Sequence, residues 1–277
     1  MERQKTALVV GMARSGIASA KLLAKNGYRV IINDLKRDIS GLFEALGDIE
    51  FVNGLGAPPE AFLEETDLMV LSPVIPIFRP FVKSAIDMGI EVIGEIELGY
   101  RYCDRGSKFV CIGGTNGKTT TTALTGEIFK TAGRNTFVLG NIGIPICEHA
   151  EEVKAGDFVV AETASLQLES IVDFRANAAG LLNITEDHIN RFGSMEAYIA
   201  AKVRMFENQT EEDFAILNLD DPIVRGMANK TKARVIYISL ESEPEEGAFI
   251  RDGSIMWRFD GREVKVLPIS ELRIPGE

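Results

Sequence analysis

The chain has 277 residues and a formal net charge of −11. That length allows about two domains with a sizeable core. The acidic balance argues against a broad nucleic-acid surface, so an anionic ligand must be held by local cations, helix N-termini and metal. Cys103, Cys111 and Cys147 are odd in number and lack metal-ligand spacing, which reads as free thiols in a reducing cytoplasm. No signal peptide is visible, and no apolar run approaches the length of a membrane span.

From the N-terminus, Thr6-Ala-Leu-Val-Val10 reads as a buried strand, and Gly11-Met-Ala-Arg-Ser-Gly16 leads into a helix ending at Asn26-Gly27. A second strand, Tyr28 to Asn33, ends on Asp34. A glycine loop followed by an acid at the second strand's end resembles a dinucleotide-binding unit. The middle glycine of that fingerprint is Ala13, however, so a pyrophosphate could not approach the loop as closely, which counts against NAD. Alternation continues through Asp67 to Leu71, Ser72-Pro73, a helix around Phe81 to Met88, and Glu91-Val-Ile93. Residues 1–105 are therefore expected to form a small Rossmann-like, doubly wound sheet, with its ligand at the strands' C-terminal edge near Gly11–Gly16, Asp34 and Ser72.

Lys108 to Ile112 reads as a short buried strand, and Gly113-Gly-Thr-Asn-Gly-Lys-Thr-Thr120 follows it. A helix is expected from Thr119 to Ala132, with Leu124, Ile128 and Ala132 four apart and Gly133 closing it. Strand, glycine loop and helix form the setting in which backbone N–H groups and a helix N-terminus cradle phosphate. Gly114, Thr115, Asn116, Gly117, Lys118, Thr119 and Thr120 are thus candidates for binding a nucleoside triphosphate, with Lys118 on the β- and γ-phosphates and the Thr119 hydroxyl on Mg²⁺. The loop is shorter than the generic pattern, which would need glycine at Ile112; the bland alternative is a glycine-rich turn with a chance lysine.

Residues 106–277 keep the α/β rhythm. Thr136 to Leu139 is a strand ending in the turn Gly140-Asn-Ile-Gly143, which presents Asn141. Asp157 to Ala161 is another, with Glu162 at its tip, and Ala178 to Ile184 runs into Thr185-Glu-Asp-His188. Strands Phe214 to Leu219 and Val235 to Ser239 follow, and Asp252-Gly253 and Asp260-Gly261 between short alternating runs signal a closing antiparallel meander. A carboxylate at a strand tip beside a phosphate loop suits a metal-bound phosphate, so Glu162 is a candidate metal ligand against the alternative of a solvated glutamate. His188 is weighed in the same way against a structural histidine. Lys202 lies on the apolar side of a helix from Ser194 to Asn208, with Met195, Tyr198, Ile199, Met205 and Phe206. It is either a snorkelling lysine or a desolvated one with a lowered pKa, reactive as a neutral amine.

Together these blocks resemble the Mur ligase family, the ATP-dependent amide-bond-forming enzymes of peptidoglycan synthesis. Gly114-Thr-Asn-Gly-Lys-Thr119 is similar to the family's phosphate loop and Gly140-Asn-Ile-Gly143 to its substrate-binding turn. Leu182-Asn-Ile-Thr-Glu-Asp-His188 and Ala200-Ala-Lys202 follow in the family's order. Ser72-Pro73, Gly94-Glu-Ile-Glu-Leu98 and Glu162…Gln167-Leu-Glu169 are most similar to the branch that adds D-glutamate to UDP-N-acetylmuramoyl-L-alanine. The resemblance implies that Lys118 and Thr119 hold the γ-phosphate and a first Mg²⁺, and that Glu162 and His188 serve two magnesium ions. It further implies that Lys202 is carbamylated, with Lys118, His188 and Lys202 as the catalytic set. The first domain would bind UDP, not NAD, through Arg14, Ser15, Asp34 and Ser72, with Asn141 contributing from the second.

The implied reaction is attack of the substrate carboxylate on ATP to give an acyl phosphate, which the amino acid converts to an amide. The implied protein is a cytoplasmic monomer with neither a nucleic-acid partner nor a membrane span. Departures from the family pattern are Val74 in Ser72-Pro-Val-Ile-Pro76, Ala164 in Glu162-Thr-Ala-Ser, and Asn190 two residues after His188. The chain ends at Pro275-Gly276-Glu277, before the family's adenine-holding His-Asn block and third domain, so it is expected to be a truncated ligase that recognises its ligands but forms little amide. A Mur ligase relative with another amino acid, a folylpolyglutamate synthetase and a non-catalytic nucleotide-binding protein stay open. A UDP-binding first domain argues against the synthetase.

Overall fold

The computed structural model describes residues 3–141 and 143–273. Ile142 of the expected turn and the terminal Pro275-Gly276-Glu277 lie outside the described residues. The first half runs β1 (Thr6–Val10), α1 (Arg14–Lys25), β2 (Arg29–Asn33), α2 (Leu42–Leu46), β3 (Phe51–Asn53), β4 (Leu68–Leu71), α3 (Pro80–Asp87), β5 (Glu91–Gly94) and α4 (Glu95–Tyr102). Its sheet has the order β3-β2-β1-β4-β5, and every pairing is parallel. A parallel sheet is covered on both faces, so its strands are apolar at successive positions and do not alternate. Ala7 and Val9 of β1 face Ala18, Leu22 and Leu23 of α1 in one core cluster, while Leu8 and Val10 join Val82 and Ala85 of α3 in the other. The expected doubly wound sheet is therefore present.

The second half contains β6 (Lys108–Gly113), α5 (Lys118–Thr131), β7 (Thr136–Gly140), α6 (Ile146–His149), β8 (Phe158–Glu162), α7 (Ser165–Leu168), β9 (Ala178–Leu181), α8 (Ile189–Phe192) and α9 (Met195–Val203). It continues with β10 (Phe214–Asn218), α10 (Pro222–Arg225), β11 (Arg234–Ile238), β12 (Gly247–Arg251), β13 (Ser254–Phe259) and β14 (Arg262–Pro268). Its nine strands lie in the order β14-β13-β12-β11-β10-β9-β6-β8-β7. The antiparallel meander β12–β14 is present, with Asp252-Gly253 and Asp260-Gly261 all at positive φ, the requirement of a tight hairpin turn. Because β12 pairs in parallel with β11, the meander extends the same sheet. No described helix is long and apolar enough to cross a membrane.

Some expectations are corrected. The four-residue spacing in α5 does not mark its core face: Leu124 and Ile128 are 42% and 59% exposed. The face laid on the sheet is Thr122 and Gly126, where an added Cβ would sit 2.4 Å from Val138 Cγ2. The helix runs too close to β7 for large side chains, so its bulk points outward. The helix expected from Ser194 to Asn208 stops at Val203 and tightens into a 3₁₀ turn over Arg204–Phe206.

Helix α4 was not anticipated, and it joins the halves. Glu97, wholly buried, accepts N–H bonds from Val172 (2.8 Å), Asp173 (3.0 Å) and Phe174 (2.9 Å), while Arg101 Nε donates to it at 2.7 Å. Glu95, also buried, accepts from Cys147 N at 2.7 Å. Burial pushes its carboxyl up to about 7, against the lowering effect of its hydrogen bonds to Cys147 and Ile146. The Gly94–Leu98 motif thus carries two carboxylates that cap backbone N–H groups of the other half.

Candidate active site

The strand register assembles the site. Ile112 of β6 lies opposite Glu162 of β8, and Gly140 of β7 lies opposite the same residue, so three strand tips meet. Gly140 has φ +104, and a Cβ there would fall 2.4 Å from Glu162 O; only glycine permits that approach. Beside these tips, Gly117 caps α5 in the left-handed conformation. The first N–H groups of α5 have no intrahelical acceptor, which leaves them facing the loop's concavity. Asn183 braces the loop from β9's end. Its Oδ1 accepts from Thr115 N (3.1 Å) and Asn116 N (2.8 Å), and its Nδ2 donates to Asn116 O (3.1 Å). Sequence reading placed Asn183 in a family block without a role; its signal was a polar residue just past a strand end.

Three of the expected residues come together here. Thr119 Oγ1 donates to Glu162 Oε2 at 2.8 Å, and Asn141 Nδ2 donates to Glu162 Oε1 at 2.7 Å. Glu162 is 2% exposed. Lys118 folds back over the loop, its Nζ donating to Thr115 O at 2.7 Å. Lys202 is 3% exposed and its Nζ donates to Gly114 O at 2.8 Å, 4.6 Å from the Tyr198 ring centroid. Burial, reinforced by the charge of Lys118, pushes its ammonium down to about 8. The snorkelling alternative is excluded, because the head group itself is buried. Tyr198 Oη lies 3.2 Å from Thr115 Oγ1, so the helix carrying Lys202 is tied to the phosphate loop twice.

His188 is half exposed and left-handed at φ 52, with Nε2 3.4 Å from Asp187 Oδ2 and its ring edge-on to Tyr198. Among the described residues, no group of three or more His, Cys, Asp and Glu side chains is placed to hold a metal. The donors that fit a hard cation are oxygens: the Thr119 hydroxyl and the Glu162 carboxylate, adjacent to the phosphate loop. That pair suits Mg²⁺.

Of the residues expected to hold the UDP-linked substrate, Asp34 lines a cavity of about 460 Å³ at the C-terminal edge of the first sheet, together with Gly11, Val74, Ile75, Pro76 and Arg79; Arg14, Ser15 and Ser72 are not among its lining residues. Asp34 clamps the glycine loop, accepting from Met12 N (2.9 Å) and Lys36 N (3.0 Å). Ser72 is buried beneath Gly11, whose added Cβ would stand 2.6 Å from Ser72 Cβ; it supports the loop and is not among the cavity's lining residues. Ser15 is half buried in the first turn of α1, and the Arg14 guanidinium donates to Gly143 O at 2.9 Å, reaching across to the 140–143 turn. Arg79 was missed: an isolated arginine before a proline gives no pattern in the sequence.

Two P-loop-like and Rossmann-like sheets joined by this geometry define a class. The sequence matches the family described as Mur ligase middle domain over residues 112–275, and that described as Mur ligase MurD-like, N-terminal domain, over residues 5–94. The chain belongs to the Mur ligase family. Among its curated relatives, the UDP-N-acetylmuramoylalanine–D-glutamate ligase of Geobacter metallireducens is 46% identical over 274 residues, 98% of this chain and 60% of the relative. The enzyme of the same name from Alkaliphilus oremlandii is 42% identical over 278 residues, 99% of this chain and 61% of the relative. The chain thus spans about 60% of the length of these relatives.

Solved structures share the fold. One is a UDP-N-acetylmuramate:L-alanyl-gamma-D-glutamyl-meso-diaminopimelate ligase from Neisseria meningitides, with TM-score 0.61 and 18% identity, covering 94% of this chain and 86% of that one. Another is the UDP-N-acetylmuramate-alanine ligase of Thermotoga maritima, with TM-score 0.52 and 17% identity, covering 99% and 61%.

Proposed function

We propose that this chain supplies the nucleotide- and UDP-substrate-binding parts of an ATP-dependent ligase that joins D-glutamate to UDP-N-acetylmuramoyl-L-alanine. In this reading residues 1–105 bind the UDP-linked substrate and residues 106–277 bind ATP, in a cytoplasmic monomer serving cell-wall synthesis. The observation that carries it is the contact of Thr119 and Asn141 with the two oxygens of Glu162 beside Lys118, supported by the names of relatives up to 46% identical.

The chemistry follows from charge. A substrate carboxylate and the γ-phosphate of ATP repel each other, and their approach must be neutralised and held in line. Lys118 swings from Thr115 O onto the β- and γ-phosphates, and the free N–H groups at the start of α5 take the remaining oxygens. Thr119 and Glu162 would hold Mg²⁺, which supplies further neutralisation of phosphate charge when bound. The carboxylate oxygen attacks the γ-phosphorus, ADP leaves, and the acyl phosphate forms. The amino group of D-glutamate then attacks the acyl carbon, loses a proton, and expels phosphate to leave the amide. Asn141 orients the substrate beside Glu162, and exclusion of water protects the acyl phosphate from hydrolysis.

In this reading Lys202 and His188 would help to hold a second magnesium ion, which would add to the neutralisation of phosphate charge. With its pKa near 8, Lys202 is partly a free amine around neutrality. That amine attacks CO₂ and releases a proton to water, becoming a carbamate whose oxygens suit a hard cation.

Isothermal titration of the chain with UDP-N-acetylmuramoyl-L-alanine and, separately, with Mg·ATP tests the assignment. Saturable binding of each is expected. A chain that binds ATP but no UDP-linked sugar would exclude this substrate, and one that binds neither would exclude the ligase reading.

A further inference from the structure

One side chain fastens the turn behind His188 to the first half of the molecule. Arg191, at the end of α8, donates from Nη2 to Glu169 Oε2 at 2.5 Å and from Nη1 to Val74 O at 3.3 Å. Its guanidinium lies over the Phe78 ring, 5.6 Å from the centroid. The Arg191 and Glu169 side chains are 13% and 10% exposed, so the pair is largely withdrawn from water. Such a pair is costly to break on one side, because the surviving charge is left without solvent. Arg191 Nε is buried without a partner among the described residues, so the guanidinium is positioned by its outer nitrogens.

The partners of Arg191 differ in how they are held. Glu169 closes α7, and Arg204 grips that end by donating to Leu168 O at 2.9 Å and Ile171 O at 2.8 Å. Arg204 begins the 3₁₀ turn directly after α9, the helix carrying Lys202. Glu169 is therefore a fixed point of the ATP-binding half. Val74, in contrast, belongs to the loop 72–79, which lines the first-sheet cavity through Val74, Ile75, Pro76 and Arg79 and leaves Val74 and Phe78 exposed. The loop's own backbone bonds include Ile75 N to Ser72 O (2.9 Å) and Arg79 N to Pro76 O (3.2 Å). The cavity wall is thus tied by a guanidinium to the elements that carry His188 and Lys202.

We propose that Arg191 is a positioning residue for the UDP-linked substrate: by anchoring Val74 and Phe78 to Glu169, it sets where the cavity wall stands relative to the phosphate loop. This rests on the ligase reading above. Arginine is required because its planar fork spans an acid and a carbonyl at once, whereas a lysine in its place keeps the charge pair and loses the second contact.

The test uses the 277-residue chain as wild type, R191K and E169Q. Hydrogen–deuterium exchange of the amides at 75 and 79 needs no ligand. It should rise about tenfold or more in both variants, with β1 and β4 unchanged. Titration should then show UDP-N-acetylmuramoyl-L-alanine binding weakened about tenfold in R191K, with Mg·ATP affinity retained. Unchanged exchange in the loop overturns the anchoring whatever the ligands do. Faster loop exchange with unchanged substrate affinity overturns the positioning role. A global rise in exchange with equal loss of both affinities reduces Arg191 to a structural residue and also overturns it. A wild type that fails to bind the UDP-linked substrate sinks the ligase reading and the positioning role together, and the exchange measurement still shows whether the anchor exists.

Discussion

The chain builds the strand–glycine–helix turn twice, after β1 and after β6, and puts the two copies to different uses. In the first, the two leading N–H groups are tied internally: Gly11 N donates to Asn33 O at 2.7 Å and Met12 N to Asp34 Oδ2 at 2.9 Å. Its glycines serve internal packing, since a Cβ on Gly16 would fall 2.0 Å from Gly11 O. In the second, Asn183 braces Thr115 and Asn116, and the groups from Gly117 onward remain available beside Lys118, Thr119 and Glu162. The turn is a scaffold. Ligand class is decided by the polar groups around it: Lys118, Thr119 and Glu162 at the second copy, Asp34 at the first.

The sharpest break of this comparison is G16A. With nowhere for the methyl to go but into backbone, the variant should lose about 3 kcal/mol or more of stability in urea unfolding, before any ligand is considered. By contrast, a Cβ on Gly117 meets only Leu182 Cδ1 at 3.4 Å, so G117A should cost roughly 1–2 kcal/mol through its positive φ alone. Next in size is K118A, which removes the loop's cation. Mg·ATP affinity should fall about a hundredfold by titration, with the UDP-linked substrate unaffected. D34A is the mirror experiment. Freeing Met12 N and Lys36 N should weaken the UDP-linked substrate about tenfold and spare ATP, because the clamp belongs to the first loop only.

A pH slope, not a single loss, is expected of Lys202, which sits against the second loop. Unfolded, the lysine holds its proton to 10.5; folded, only to about 8. Between those values the unfolded chain binds more protons, so this residue's contribution to stability grows as pH rises from about 8 to 10.5 and is lost as pH falls through 8. Unfolding midpoints across that window should rise in wild type relative to K202M. Equal slopes in the two proteins would show that Lys202 is not desolvated.

The sequence carried much of this. The phosphate loop was legible because its glycines, lysine and threonine are contiguous, and β1 and β6 because buried parallel strands carry apolar residues at successive positions. Lys202 was legible as an anomaly, a charge on an apolar stripe. What failed depended on neighbours distant in sequence. Leu124 and Ile128 have helical spacing, but only the nearness of Val138 decides that the opposite face is buried. Glu95 and Glu97 stood in the sequence only as part of a family motif with no role of their own, since nothing local says that N–H groups near 147 and 172 need acceptors. Arg191 was invisible for the same reason: it acts across the boundary between the halves, where spacing in the chain carries no information, and Arg79 joins the cavity wall only through the path of the loop that precedes α3.

Helix α4 bears on how such chains can be recombined. Its two buried acids belong chemically to the half that follows, and Gly94 admits Ser170 Oγ where a Cβ would lie 2.4 Å away. A chimera that took its front half from a relative and crossed over near residue 105 would present foreign carboxylates to the N–H groups at 147 and 172–174. Crossing over between Ile93 and Gly94, at the close of β5, would carry each acid along with the amides it caps. The heritable block therefore begins a whole helix earlier than the boundary between the two sheets suggests.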